Sequence, residues 1–432
     1  MGARPVLAVS ADHGLEARLR GLRDGCIARW RATPADLPRF GTPVSWRRQW
    51  SNARATRRLV NDLATRIEAY PSDDAARRIW REAVRRRLHA FGESRFAWPD
   101  GYRRLFVGDA FFESAAAFAT RARAFDPSLP LDELWQALRN VWIGNSLQAL
   151  RALPVSLTQG LFAYSMLYPV TDNVLDDAEM SAVAKRTFND RLGRRLAGER
   201  LTARDAAEAR AFALLAQIED DRPRFRWPDV WAGIAEIHRA QVDSLRQHGA
   251  LVEDELLELS VAKGGASVLA DLYLIAPGVT PCEERFAFAY GVFLQLLDDL
   301  QDVGTDLAAE HHTLFTHAAR NGVIDDLTTR LARFIDVTCG AAPHDGTRER
   351  EDCIDLIRRN CLALIVGVIA EHPGRFSRAF RRSVEHQWPL GLRELRRLRR
   401  HAARRYQTTA QRLREHHGVG SPLDLLLPEA LS

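Results

Sequence analysis

The chain has 432 residues, 46% hydrophobic and 27% charged, a balance that supplies a large buried core and excludes disorder as a global state. Its formal charge of +5 is small for that length, so nothing calls for a nucleic-acid partner, and the apolar runs fall short of the ~20 residues that span a bilayer. The N-terminus lacks the charged-then-apolar order of a secretion signal. Cys26, Cys282, Cys339, Cys353 and Cys361 are odd in number with no CxxC pair, which fits reduced thiols in a cytoplasmic protein and not a disulfide framework.

Residues 1–45 carry Pro5, Pro34, Pro38 and Pro43 around one short helical pattern at 15–30, the composition of a loosely attached arm. One helical domain is expected over 46–416, with a C-terminal tail at 417–432. From 46 to 92 the pattern is helical and Arg-rich, interrupted at Tyr70-Pro71-Ser72-Asp73, where Ser72 or Asp73 would cap the next helix. Trp98-Pro99-Asp100-Gly101 reads as a turn. Helices follow over 102–125, 131–150 and 156–177, and Pro169 should kink the last of these.

A mixed-charge helix continues past Lys185 to 198, then 202–220, then a break at Pro223 and Pro228. Helical patterns at 231–248 and 253–275 come next; the second holds Lys263-Gly264-Gly265 in its middle, where paired glycines should weaken or break it by roughly 1 kcal/mol each. The patterns 283–304, 310–321, 325–339, 350–371, 375–387 and 390–416 complete the chain, with a loop at 341–347. No strand pattern or short repeat competes, so the fold is expected to be all-α.

Two of these helices end in carboxylates at four-residue spacing, which places Asp172 with Asp176, and Asp298 with Asp302 and Asp306, on single helix faces. One such pair on its own is usually solvated surface. Here the acids terminate strongly apolar helices, and burying several carboxylates without cations is costly; hard oxygen ligands in that number suit Mg²⁺. Of 61 basic residues only Lys185 and Lys263 are lysines, and they flank the two acidic stretches.

Gln295-Leu-Leu-Asp298-Asp299-Leu-Gln-Asp302 resembles the second aspartate-rich motif of trans-polyprenyl diphosphate synthases. Asp306-Leu-Ala-Ala-Glu-His311-His-Thr313-Leu314 is similar to their DLxxGKxTLP stretch, and 257–269, centred on Lys263, to the helix carrying their KT dipeptide. Asp172-Asn-Val-Leu-Asp176-Asp177 followed by Lys185-Arg186 looks closer to the DTxEDD motif and basic pair of squalene synthases. Both families share the class I isoprenoid synthase fold, a helical bundle around a central cavity in which two facing helices hold Mg²⁺ on a prenyl diphosphate. The resemblance covers about residues 155–320.

That resemblance implies Asp172, Asp176, Asp298 and Asp302 as metal ligands, with Asp177, Asp299 and Asp306 as further ones. Lys185, Arg186, Lys263 and His311 would bind diphosphate, beside Arg405-Tyr406, which is similar to an Arg-Tyr pair at the active-site mouth of bacterial terpene cyclases. Gln295 belongs to the second motif. Tyr164 and Tyr168 share a face with Asp172 and could stabilise an allylic cation, with Phe162, Tyr290 and Phe293 as further aromatic candidates.

The chain departs from the elongating pattern at Asn173, His311 and Phe315. No GKxxRP-like motif precedes Asp172, and the nearest stretch, 140–147, has no Lys or Arg. The expected reaction is therefore Mg²⁺-dependent ionisation of an all-trans prenyl diphosphate followed by coupling or cyclisation. Chain elongation, or a non-catalytic subunit or lipid-binding scaffold, are the alternatives. A homodimer is compatible with the sequence. The Arg-rich stretch 393–405, as an amphipathic helix, could touch an anionic membrane. No Walker loop, GxSxG elbow, dinucleotide fingerprint or HExxH arrangement is present.

Overall fold

The computed structural model describes residues 7–417, apart from 37, 38, 72, 100, 103, 104, 106–108, 178, 250, 344 and 345. Ser72, Asp100 and the tail beyond 417, all named above, therefore lie outside the described residues, as do the side chains of Leu175 and Asp176.

Every regular element among the described residues is helical. The order is α1 (Leu7–Ala32), α2 (Trp46–Glu68), α3 (Asp74–Phe96), α4 (Asp109–Phe125), α5 (Leu131–Leu150), α6 (Gln159–Asp176), α7 (Ala182–Leu196), α8 (Ala206–Asp221) and α9 (Pro228–Ser244). There follow α10 (Glu253–Ile275), α11 (Pro281–Gln301), α12 (Val303–Ala308), α13 (Leu314–Asn321), α14 (Asp325–Gly340), α15 (Arg348–Glu371), α16 (Arg378–His386) and α17 (Leu392–His417). Local chemistry starts them, at Asp73 as the sequence allowed and at two threonines it had not singled out. Asp73 accepts from the Ala76 amide and Thr158 from Leu161. Thr280 and Glu283 form a reciprocal capping box ahead of Pro281.

Helix α10 is the axis of the molecule. It is buried on almost every side from Leu256 to Ile275, as a helix apolar all round must be, and it packs against α1, α5, α6, α9 and α11. Gly264 and Gly265 do not interrupt it. They are instead what allows its closest crossing: a Cβ on Gly264 would lie 2.5 Å from the Gly291 carbonyl oxygen of α11, and Gly265 faces the Phe288 ring. Tertiary burial on both sides outweighs the roughly 1 kcal/mol that each glycine costs a helix. Helix α6 likewise continues through Pro169.

The N-terminal segment is not a loose arm. Helix α1 is longer than its sequence pattern, and Leu19, Cys26, Ile27 and Trp30 are buried in the main core, Trp30 edge-on to Phe334. Arg18, Arg23 and Arg31 pair with Asp229, Glu236 and Asp254. Of the prolines that suggested detachment, Pro34 and Pro43 lie beyond the helix and leave its packing face intact, while Pro5 and Pro38 are outside the described residues. The pattern at 283–304 is also two helices rather than one, broken at Asp302 (φ −91°, ψ 4°). The i→i−4 bonds from Asp302 to Asp298 and from Asp306 to Asp302 persist across the break, at 2.9 and 2.8 Å.

Candidate functional site

A cavity of about 700 Å³ runs between α3, α4, α5, α6, α10, α11 and α15. Its walls are mainly apolar and aromatic, including Trp80, Leu88, Phe112, Trp135 and Leu356, while Asp172, Lys263, Asp298 and Arg139 also line it. Asp172 reaches it from the last turns of α6 and Asp298 from the last turn of α11, so the two acidic stretches converge on one space. Lys263 Nζ lies 3.6 Å from Asp172 Oδ1, and Arg139 Nη1 lies 3.5 Å from Asp298 Oδ1.

The electrostatics of neighbouring groups tie this cluster together. Burial pushes the Tyr168 phenol up; Lys263 opposes the shift and Asp172 and Asp298 add to it, with Arg139 again opposing. Tyr168 is thus within electrostatic reach of both acids and both cations, and it lines the cavity with them. Burial raises the Asp302 carboxyl, Asp298 adds repulsion and Arg139 relieves it. Asp306 is pushed up to about 6, first by burial and then by Asp302 and Asp298, with Lys263 opposing. Three carboxylates therefore repel one another around two cations.

Asp299 has a different environment. It is 5% exposed, its Oδ2 accepts from Ser260 Oγ and its Oδ1 from Gln295 Nε2, both at 2.9 Å. Burial raises it to about 7, with the two hydrogen bonds opposing. Both oxygens are held by protein donors in the α10–α11 contact, and Gln295 is the residue that orients it. His311 donates its backbone N–H to the Asp306 carbonyl at 2.9 Å and packs edge-on to His248. Burial, His248 and Lys263 push its imidazole down to about 4, so it is neutral at pH 7.

The remaining predicted residues lie elsewhere. Tyr164 donates to the Ser267 carbonyl at 3.0 Å and, with Phe162 and Phe293, is packed in the core; only Tyr290 of the lesser aromatic candidates joins Tyr168 at the cavity wall. Asp177 caps the end of α6, accepting from the Glu179 amide at 2.8 Å. Lys185 is half-buried and Arg186 exposed on α7, and neither lines the cavity. Arg405 faces Glu68 at 3.6 Å and Tyr406 is exposed, both on α17 away from the cavity.

Several residues of the site escaped the sequence. Arg139 stands one position before the 140–147 stretch that lacks cations; its signal is the cavity face of α5, where Trp135, Leu138, Arg139, Trp142 and Ser146 recur at helical spacing. Arg81 and Arg85 of α3 also line the cavity. Below its wall lies Asp271, 0% exposed, accepting from Asn140 Nδ2 at 3.0 Å and otherwise unpartnered at Oδ2. Burial raises its carboxyl well above the ordinary carboxylate range, with the Asn140 hydrogen bond opposing. The usable signal was a polar stripe of Ser260, Lys263, Ser267 and Asp271 along the apolar stretch of α10 beyond Glu258.

Among the described residues no three His, Cys, Asp or Glu side chains converge tightly enough to hold a metal ion by themselves. No protein-family model matches this chain. No curated protein matches it either.

Proposed function

We propose that this chain is an enzyme that ionises an all-trans prenyl diphosphate, releases diphosphate, and guides coupling or cyclisation of the resulting allylic cation. The observation that carries the proposal is the meeting of Asp172, Asp298, Lys263 and Arg139 at one greasy cavity, with Asp302 and Asp306 within electrostatic reach. Such a site has a charged end for a diphosphate and apolar walls for its chain.

The donor set fits Mg²⁺. Every candidate ligand is a carboxylate oxygen, and the Asp302 and Asp306 carboxyls are raised first by burial and then by repulsion from neighbouring carboxylates, both of which a bound cation would relieve. Mg²⁺ takes only one or two protein carboxylates and completes its shell with water and phosphate oxygens, so a dispersed set of acids suits it. Asp172, Asp298, Asp302 and Asp306 would hold it, with Asp176 added by the motif resemblance; Asp299 is already satisfied by Ser260 and Gln295. When bound, Mg²⁺ would neutralise charge on the departing diphosphate.

The protein's own groups supply the rest. Lys263 and Arg139 are placed to donate to diphosphate oxygens as these gain charge. The rings of Tyr168 and Tyr290 offer π faces to an allylic cation, and the apolar walls keep water from quenching it. Arg139 pairs with Asp298 in place of the missing basic motif, which keeps elongation as an arm of the test. Purified protein is incubated with geranyl, farnesyl or geranylgeranyl diphosphate and Mg²⁺, with and without isopentenyl diphosphate. Diphosphate release from an allylic substrate alone is expected. Release only with isopentenyl diphosphate would assign elongation, and none under any condition would leave a prenyl-binding scaffold.

A further inference from the structure

We propose that α2 and α17 together form a docking surface for an anionic lipid bilayer. Residues 46–61 hold Arg47, Arg48, Arg54, Arg57 and Arg58 and no carboxylate, and all five arginines are exposed. On the same turns Trp46 is 71% and Trp50 59% exposed, one helical turn apart. Each ring lies beneath a neighbouring guanidinium, Arg47 at 5.4 Å and Arg54 at 5.7 Å.

Helix α17 completes this face. It packs along α2, with Leu398 against Ala53, and His401 Nε2 meets Asn61 Oδ1 at 2.9 Å. The two helices carry fifteen arginines against four carboxylates. That excess of eleven is more than twice the +5 of the whole chain, so the rest of the molecule is net acidic and the positive charge is concentrated here. Glu68 and Glu371 engage Arg405, Arg412 and Arg399. Arg57, Arg58, Arg393, Arg400 and Arg404 have no ion-pair partner among the described residues.

The occupant follows from the chemistry. Exposed Trp beside Arg on the side of a helix matches the headgroup layer, where an amphipathic ring sits at the polar boundary and guanidinium groups meet lipid phosphates. The surface is built from the outer sides of two helices with an arginine over one face of each Trp ring, and it offers no run of free aromatic faces on which successive bases would stack, which favours a bilayer over nucleic acid. No described helix is long and apolar enough to cross a membrane, so the contact would be peripheral. The inference does not depend on the reading of the cavity.

Co-sedimentation of the full chain with vesicles tests it, comparing phosphatidylcholine alone with phosphatidylcholine plus phosphatidylglycerol. Binding is expected to be at least about tenfold stronger to the anionic vesicles and to fall steeply with salt. Two variants, R57E/R58E/R400E/R404E and W46A/W50A, should each lower it by about tenfold with an unchanged circular dichroism spectrum. The tryptophan pair, being exposed, serves as the test should the charge reversal unfold. Equal binding to both vesicles, no loss in the tryptophan variant, or tighter binding to an oligonucleotide than to the anionic vesicles would overturn the proposal.

Discussion

Asp298 and Asp299 are neighbours in one motif, yet the structure assigns them to two different regions. Nearly half of the Asp298 side chain is exposed at the cavity, facing Arg139, whereas Asp299 is sealed in the α10–α11 contact with both oxygens bonded. One residue along a helix is a rotation of about 100°, enough to separate a charge available to a ligand from one committed to packing. Adjacent identical residues in an acidic motif therefore need not share a role, and the contrast between the cavity mouth and the interface beneath it can be tested directly.

The largest expected effect is at the mouth. Replacing Asp172 and Asp298 with Asn should cut Mg²⁺-dependent diphosphate release by about 10²-fold or more, the scale of losing a positioned electrostatic group, while the thermal midpoint stays close to wild type because only loose ion pairs are lost. A large fall in midpoint with activity preserved would reverse the roles given to the two regions. Beneath the mouth, Gly291→Val should act on stability instead: its side chain would overlap the Gly264 carbonyl, and denaturant titration should show a loss of about 1–3 kcal/mol or more.

Asp299→Ala sharpens the comparison at the same motif. Leaving Ser260 and Gln295 without their partner should cost about 1–3 kcal/mol of stability, with a smaller loss of turnover than Asp298→Asn. Its pH signature is also distinct. Burial raises the folded carboxyl from 3.8 to about 7, so the folded state binds more protons than the unfolded one, and this group's contribution to stability declines as pH rises between those values. In metal-free buffer, Asp299→Asn should flatten the stability profile between about pH 4 and 7. The smallest effect is expected from Tyr164→Phe, which removes one hydrogen bond to the Ser267 carbonyl and should lower stability by about 0.5–1.5 kcal/mol. Tyr168→Phe is the matched control at the cavity wall.

Local patterns carried much of this in advance. The apolar 3.6-residue period marked the helices, Asp73 was one of two candidates for the cap of α3, and the four-residue spacing of aspartates put Asp298, Asp302 and Asp306 along one line, a relation that survives the break at Asp302. Lys263 stood out because lysine is otherwise nearly absent. Long-range placement was not legible: α1 looked detachable because the prolines flanking it are local information while the burial of Trp30 against Phe334 is not. Arg81 and Arg85 belong to a helix whose own pattern resembles any Arg-rich surface helix, and Arg139 is the lone cation of α5; only the packing of α3 and α5 around the cavity distinguishes them.

By itself the sequence determined an all-helical chain and two acidic helix ends, because backbone hydrogen bonding and side-chain periodicity are set within a few residues. The tertiary structure alone decided that those ends meet across one cavity, that Gly264 and Gly265 seat a helix crossing without breaking it, and that Asp299 turns inward while Asp298 does not. Those outcomes depend on which faces of distant helices exclude water together, and that is a property of the packed molecule.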